Sequence, residues 1–229
     1  MIKAVIFDLD DTLYPESDYV VSGFNKVAKA MNCKYHTTIY GSELYDLFLQ
    51  DNANVYNRVL DKHHIIYTAQ DITYFINVYR TNKPVKKELN LYDGVRHVLE
   101  DLHKDYKLGI ITDGRVDGQK AKVYSLDIEK YFDKIIYSDR FGIEHIKPDV
   151  LPFKMMKEAL SIEYSEMIYI GDNRAKDFAV SSKIDIKTIE VLNLYKIHNN
   201  AEYLDSVKPT YILEEIDELS NFIRSINND

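Results

Sequence analysis

The chain has 229 residues, 45% hydrophobic and 29% charged, with a net charge of −8 at pH 7. That length accommodates one large domain or a domain carrying an insertion, and the composition is that of a soluble globular protein. The acidic balance excludes a general nucleic-acid or membrane-surface binder, which needs a basic field.

The apolar run Ala4-Val5-Ile6-Phe7 reads as a parallel strand buried on both faces, and it leads into Asp8-Leu9-Asp10-Asp11-Thr12. In open α/β sheets the ligand crevice lies beyond the carboxyl ends of such strands, so Asp8 and Asp10 are delivered to a site. Carboxylates this close repel, which favours a raised pKa or a bound cation. From Ser17 the pattern turns helical. Val20, Val21, Phe24, Val27, Ala28 and Met31 recur at three- and four-residue spacing, with Ser17 or Asp18 as N-cap. Further helices are predicted from Ser42 to Leu49, Asn52 to His63 and Asp71 to Tyr79, and no strand between Pro15 and Pro84. Residues 14–87 therefore form an expected all-helical insertion.

From Leu91 helices and strands alternate. Asp93 to Lys104 is amphipathic, Lys107 to Thr112 reads as a buried strand, and helix Gly118 to Ser125 precedes strand Lys134 to Tyr137. Helix Asp149 to Leu160 carries Pro152 in its first turn, where a missing N–H costs little. Strand Met167 to Ile170, helix Lys176 to Ser182, strand Thr188 to Leu192, a short strand Tyr211 to Leu213 and a helix from Glu215 to Ile226 follow. Such alternation predicts an α/β fold, a Rossmann-like three-layer core with a parallel sheet, over residues 1–13 and 88–229.

Four strand ends carry polar groups. They are Asp8 and Asp10, then Thr112-Asp113-Gly114, then Lys147-Pro148 after the Lys134 strand, and Gly171-Asp172-Asn173 with Asp177. Singly, each has an ordinary reading. Asp-x-Asp-x-Thr is expected about 0.1 times by chance in this composition, Thr112-Asp113-Gly114 is a common turn, and Asp172 suits a helix cap. Four in order at four strand ends point to phosphoryl transfer assisted by a metal.

The ordered set Asp8-Leu9-Asp10-Asp11-Thr12, Thr112-Asp113-Gly114, Lys147-Pro148 and Gly171-Asp172-Asn173-Arg174-Ala175-Lys176-Asp177 resembles the haloacid dehalogenase-like hydrolase superfamily. The helical block lies where that family inserts its cap domain. The resemblance implies Asp8 as nucleophile, Asp10 as general acid and base, and Thr112, Asp113, Gly114 and Lys147 as the phosphate-binding group. It implies Mg²⁺ on Asp8, Asp172 and the Asp10 carbonyl, with Thr12, Asn173 and Asp177 in support. Dehalogenases of the superfamily carry an aromatic residue in place of the second aspartate, so Asp10 favours phosphate-ester hydrolysis. Two departures stand out: Asp113 where relatives often have Asn, and Ile184-Asp185-Ile186 where they often have glycine. Asp113 is tolerable near phosphate if its carboxylate points away.

The expected substrate is a small phosphomonoester, a sugar phosphate or nucleotide monophosphate, chosen by the cap. Candidates for that choice are Tyr14, Tyr19, Asn25, Tyr45, Arg58, His63, His64 and Arg80, whose ordinary reading is surface or helix packing. The alternatives are a phosphomutase on the same scaffold and a non-catalytic binding module. Cys33 is the only cysteine, which excludes an intramolecular disulfide and suggests a reducing compartment. With no signal-peptide pattern and no run near the ~18 apolar residues of a bilayer span, a cytoplasmic monomer or homodimer without nucleic-acid or membrane partners is expected.

Overall fold

A computed structural model describes residues 1–192 and 201–228. The chain forms two compact units, Met1–Glu16 with Lys86–Asp229, and Ser17–Val85.

The first unit is built on six parallel strands in the order β3-β2-β1-β4-β5-β6. They are β1 (Ala4–Phe7), β2 (Lys107–Thr112), β3 (Lys134–Tyr137), β4 (Met167–Gly171), β5 (Lys187–Val191) and β6 (Tyr211–Leu213). The first strand in the chain is central in the sheet. Ala4 to Phe7 are fully buried, which is why that run has no polar alternation. Ala4 and Ile6 turn to one face, where they meet Ile111, Tyr169, Phe153 and Met156. Phe153 and Met156 belong to the helix Leu151–Leu160, and both are fully buried. Each such side chain contributes about 1.5–3 kcal/mol by leaving water.

Strand order reverses between β1 and β4, since β2 and β3 lie to one side and β4, β5 and β6 to the other. Their carboxyl ends frame a crevice there. Register places Phe7 beside both Ile110 and Ile170, so Asp8, Thr112 and Asp172 leave the sheet at one edge.

The second unit is helical, with α1 (Glu16–Tyr35, whose first residue belongs to the first unit), α2 (Gly41–Gln50), α3 (Val55–Lys62) and α4 (Ala69–Arg80). Thr68 caps α4 by accepting from the Asp71 N–H, while Asp71 returns a bond to the Thr68 N–H, a capping box. In the first unit α5 spans Val95–Leu102, α6 Val116–Leu126, α7 Leu151–Leu160 and α8 Leu219–Asn228. None of the described helices is long and apolar enough to cross a membrane.

Two predicted helices change form. Lys176 to Ser182 is a turn followed by a 3₁₀ segment at Ala179–Ser182. The Ser181 and Ser182 hydroxyls donate to carbonyls three residues back, a local bond that competes with the α-helical ladder. The C-terminal helix begins at Leu219, after a separate 3₁₀ turn at Ile216–Glu218.

Candidate active site

Asp8 is the first residue beyond β1 and is 2% exposed. Its Oδ1 lies 2.5 Å from Lys147 Nζ, which also reaches Asp177 Oδ1 at 2.8 Å and the Tyr169 hydroxyl at 2.8 Å. Lys147 enters from the loop after β3, Asp177 from the turn after β4, and Tyr169 from β4 itself. Burial would weaken the Lys147 ammonium, but Asp177 and Asp8 hold its pKa well above the ordinary lysine value. Burial pushes the Asp8 carboxyl up to about 6, against the pull of Lys147.

Asp177 is committed on both oxygens. Oδ1 faces Lys147 and accepts from Tyr169, while Oδ2 accepts from the Asp172 and Asn173 N–H groups. A Cβ on Gly171 would stand 2.6 Å from Asp177 Oδ2, so only glycine lets this carboxylate close under the end of β4. Asn173 Oδ1 accepts from the Ala175 N–H and tightens the same turn. The Thr12 hydroxyl donates to Asp172 Oδ1 at 3.1 Å, tying the loop after β1 to the loop after β4.

The donor set fits a hard divalent cation. Asp8, Asp172 and Asp177 each bring a carboxylate oxygen within 4.8 Å of the others, and oxygen ligands suit Mg²⁺, Ca²⁺ and Mn²⁺. With Asp177 occupied by Lys147, Tyr169 and two N–H groups, Asp8 and Asp172 are the side chains suited to hold an ion. The Asp10 carboxylate is not part of this cluster.

That carboxylate is held by its own set of donors. Lys122 Nζ sits 2.7 and 2.8 Å from its two oxygens, the Tyr14 hydroxyl donates to Oδ1 at 2.5 Å, and Gln119 Nε2 donates to Oδ2 at 3.0 Å. Burial raises the Asp10 pKa, but Lys122 and these donors outweigh it and hold the pKa below the ordinary value. Glu16 Oε1 lies 3.8 Å from the same ammonium. Burial and the nearby Asp10 push the Glu16 carboxyl up to about 7.

Thr112, at the end of β2, is fully buried, and its Oγ1 has no hydrogen-bond partner among the described residues. A buried hydroxyl in that state is short of an acceptor or donor. Asp113 points its Oδ1 at the Ser138 hydroxyl (2.5 Å) and the Lys147 N–H (3.2 Å), so its carboxylate pins the Lys147 loop. Gly114 sits at φ +108, and its N–H donates to Asp139 Oδ1 at 2.8 Å. Of the four residues expected to bind phosphate, Thr112 has a side-chain hydroxyl without a partner among the described residues, and the Lys147 ammonium is engaged by Asp8, Asp177 and Tyr169. The Asp113 carboxylate and the Gly114 N–H are engaged within the protein.

Several side chains here escape sequence reading. Gln119 and Lys122 are each 4% exposed, yet on a helix they look like ordinary surface residues. Tyr169 sits inside an apolar strand run and reads as core. Tyr14, expected on the cap, belongs to the first unit and is fully buried, because its hydroxyl satisfies Asp10. Asp11, the third acid of the first motif, is buried at φ 54 and accepts from the Glu16 N–H, which caps α1. In the helical unit, Arg58 donates to the Leu47 and Asp51 carbonyls at the end of α2, and His63 pairs with Glu43. Tyr45 stacks on Phe48. Arg58 and His63 thereby join the α3 segment to α2, while the Tyr45 contact stays within α2.

Comparison with known proteins agrees with this architecture. A family model described as haloacid dehalogenase-like hydrolase matches residues 5–191. A glyceraldehyde 3-phosphate phosphatase of Methanocaldococcus jannaschii is 28% identical over the whole of both chains. Pyrophosphatase PpaX of Bacillus mycoides is 26% identical over 99% of each. Among solved structures, a Thermotoga maritima protein provisionally assigned as a β-phosphoglucomutase has a TM-score of 0.69 at 18% identity, covering 98% of this chain and 100% of that one. A 2-haloacid dehalogenase from Pseudomonas syringae has a TM-score of 0.65 at 21% identity, covering 99% and 100%.

Proposed function

The chain belongs to the haloacid dehalogenase-like hydrolases, and we propose that it hydrolyses a small phosphomonoester through an aspartyl-phosphate on Asp8. It is a hydrolase acting on phosphate esters, as its phosphatase relatives are. The observation that carries the finer reading is the buried, unpartnered Thr112 hydroxyl at the strand end next to the Asp8–Lys147 pair. A phosphoryl oxygen supplies the partner that hydroxyl lacks.

Asp8 attacks phosphorus, and the bond to the leaving oxygen breaks as Asp10 delivers a proton to that oxygen; Asp10 is held ionised in the free protein, and the negative charge of the bound phosphate beside it favours its uptake of that proton. Asp10 then takes a proton from water as the water attacks the acyl phosphate, which restores Asp8 and releases inorganic phosphate. Bringing a carboxylate within ~4 Å of a phosphate dianion costs about 8 kcal/mol at an effective dielectric of ~20. Lys147 offsets part of that as a fixed positive charge, and Thr112 orients one phosphoryl oxygen. Bound Mg²⁺, held by Asp8, Asp172 and the Asp10 carbonyl, would neutralise further charge on the phosphoryl group. Asp177 and Tyr169 keep the Lys147 ammonium in place. The helical unit 17–85, inserted between β1 and β2, acts in this proposal as the cap that excludes water and selects the substrate.

The test is a panel of sugar, triose and nucleoside monophosphates with Mg²⁺, run on the parent and on Asp8→Asn. Hydrolysis of at least one panel member by the parent, its loss in Asp8→Asn, and acid-stable phosphate on the parent protein after quenching are expected. No hydrolysis across the panel refutes the reading. A phosphoanhydride substrate is the second reading, favoured by the likeness to pyrophosphatase PpaX, and pyrophosphate belongs in the same panel.

A further inference from the structure

Lysine is almost never buried without a partner, and Lys122 of α6 is buried to 4% exposure. It lies 112 positions from Asp10 in the chain and donates to both of its oxygens. Gln119, one turn earlier on α6, donates to Asp10 Oδ2 and also to the Asp113 carbonyl at 2.7 Å. Tyr14 donates to Oδ1 from the loop after β1. These four hydrogen bonds place two donors on each oxygen of the carboxylate. The backbone is shaped to admit them: a Cβ on Gly114 would stand 2.8 Å from Gln119 Nε2.

We propose that Lys122 is a positioning residue for the phosphoryl-transfer reaction, holding the Asp10 carboxylate, together with Gln119 and Tyr14, where it serves the leaving oxygen and then the attacking water. The inference rests on the phosphatase reading above. A purely structural lysine would need one carboxylate anywhere along α6. Here three donors from two chain segments converge on the acid two residues after the nucleophile. Gln119 fixes Asp10 and the Thr112-Asp113-Gly114 turn with a single amide. Glu16 Oε1, 3.8 Å from the ammonium, is a second carboxylate beside it.

The experiment compares the first turnover of two substrates in the parent and in Lys122→Met. An alkyl phosphate needs a proton on its leaving oxygen, whereas p-nitrophenyl phosphate does not. Misplacing the acid should slow the alkyl burst by about thirtyfold or more, within the 10²–10⁴-fold worth of general acid–base catalysis. The p-nitrophenolate burst rate, and the substrate concentrations that half-saturate the burst rates of both substrates, should stay within about threefold. Equal loss with both substrates, or no loss with either, overturns the positioning role. If Lys122→Met does not fold, by its thermal melt, Tyr14→Phe decides by the same ratio, with a smaller selective loss expected and an unselective one overturning. A parent that hydrolyses neither substrate refutes the phosphatase reading and this inference with it. An active parent with an unselective variant refutes only this inference.

Discussion

Replacing Lys147 with Met leaves Asp8 and Asp177 buried without the ammonium they share at 2.5 and 2.8 Å. Met matches the stem in length and apolar character, so the perturbation is electrostatic rather than a cavity. Removing one partner of a buried pair costs about 3–5 kcal/mol, because the remaining charge is left uncompensated. For a unit of this size the thermal midpoint should fall by roughly 10 °C. The loss depends on pH. Asp8 in the folded parent titrates at about 6, above its ordinary 3.8, so its contribution is fully favourable below the unfolded value and declines as pH rises through the folded one. Without Lys147, which holds that value down, the decline extends to higher pH. Thermal and urea unfolding with a chelator should therefore show the full deficit at pH 8 and a clearly smaller one at pH 5, where a proton replaces the ammonium. A divalent cation should narrow the gap at pH 8. A deficit below about 1 kcal/mol, or one equal at both pH values, would refute the electrostatic account.

Glu16→Gln should stabilise the protein at pH 8. Its carboxyl is raised from 4.5 to about 7, worth at most about 3 kcal/mol, and the gain should vanish towards pH 5, where the parent is protonated; urea melts at the two pH values measure it. Thr112→Val removes an unpartnered hydroxyl and should leave stability unchanged or raise it by about 1 kcal/mol. The same variant should raise KM about tenfold or more through the lost bond to a charged oxygen, and a melt combined with steady-state kinetics checks both. Asp10→Asn should lower kcat by about 10²–10⁴-fold while calorimetric Mg²⁺ affinity stays within about threefold, since only the Asp10 carbonyl is assigned to the ion. Full activity in that variant would remove Asp10 from the chemistry.

The strands were legible in the sequence because a sheet buried on both faces leaves no polar alternation to misread, and Asp8, Thr112 and Asp172 follow those apolar runs directly. The partners of Asp10 were not legible. Helix α6 buries Gln119, Lys122 and Ser125 alongside Ala121, Val123 and Leu126, so it has no apolar stripe to mark which face is inside. Lys122 is explained only by the carboxylate it meets, and that meeting is a property of the fold. Chain position alone places Tyr14 in the helical block, whereas its burial depends on Asp10 four residues earlier. The segment after Asp177 carries apolar spacing suitable for a helix, and two serine hydroxyls turn it to 3₁₀.

The position of β1 has a consequence for biosynthesis. Its two neighbours in the sheet begin at Lys107 and Met167, so Phe7 meets Ile170 only after 163 further residues have been made (170 − 7). At about 5–20 residues per second, the N-terminal strand waits roughly ten to thirty seconds on the ribosome for its second partner. The helical segment Ser17–Val85 is complete well before then, with its contacts local to itself. Until β2 is made, Ala4-Val5-Ile6-Phe7 is an unpaired apolar strand, and until β4 follows it keeps one open edge, the kind of segment that invites association between nascent chains. The acids that follow it at Asp8, Asp10 and Asp11 place three charges immediately downstream, so the two assigned to the chemistry, Asp8 and Asp10, also serve with Asp11 as gatekeepers of the strand that carries them.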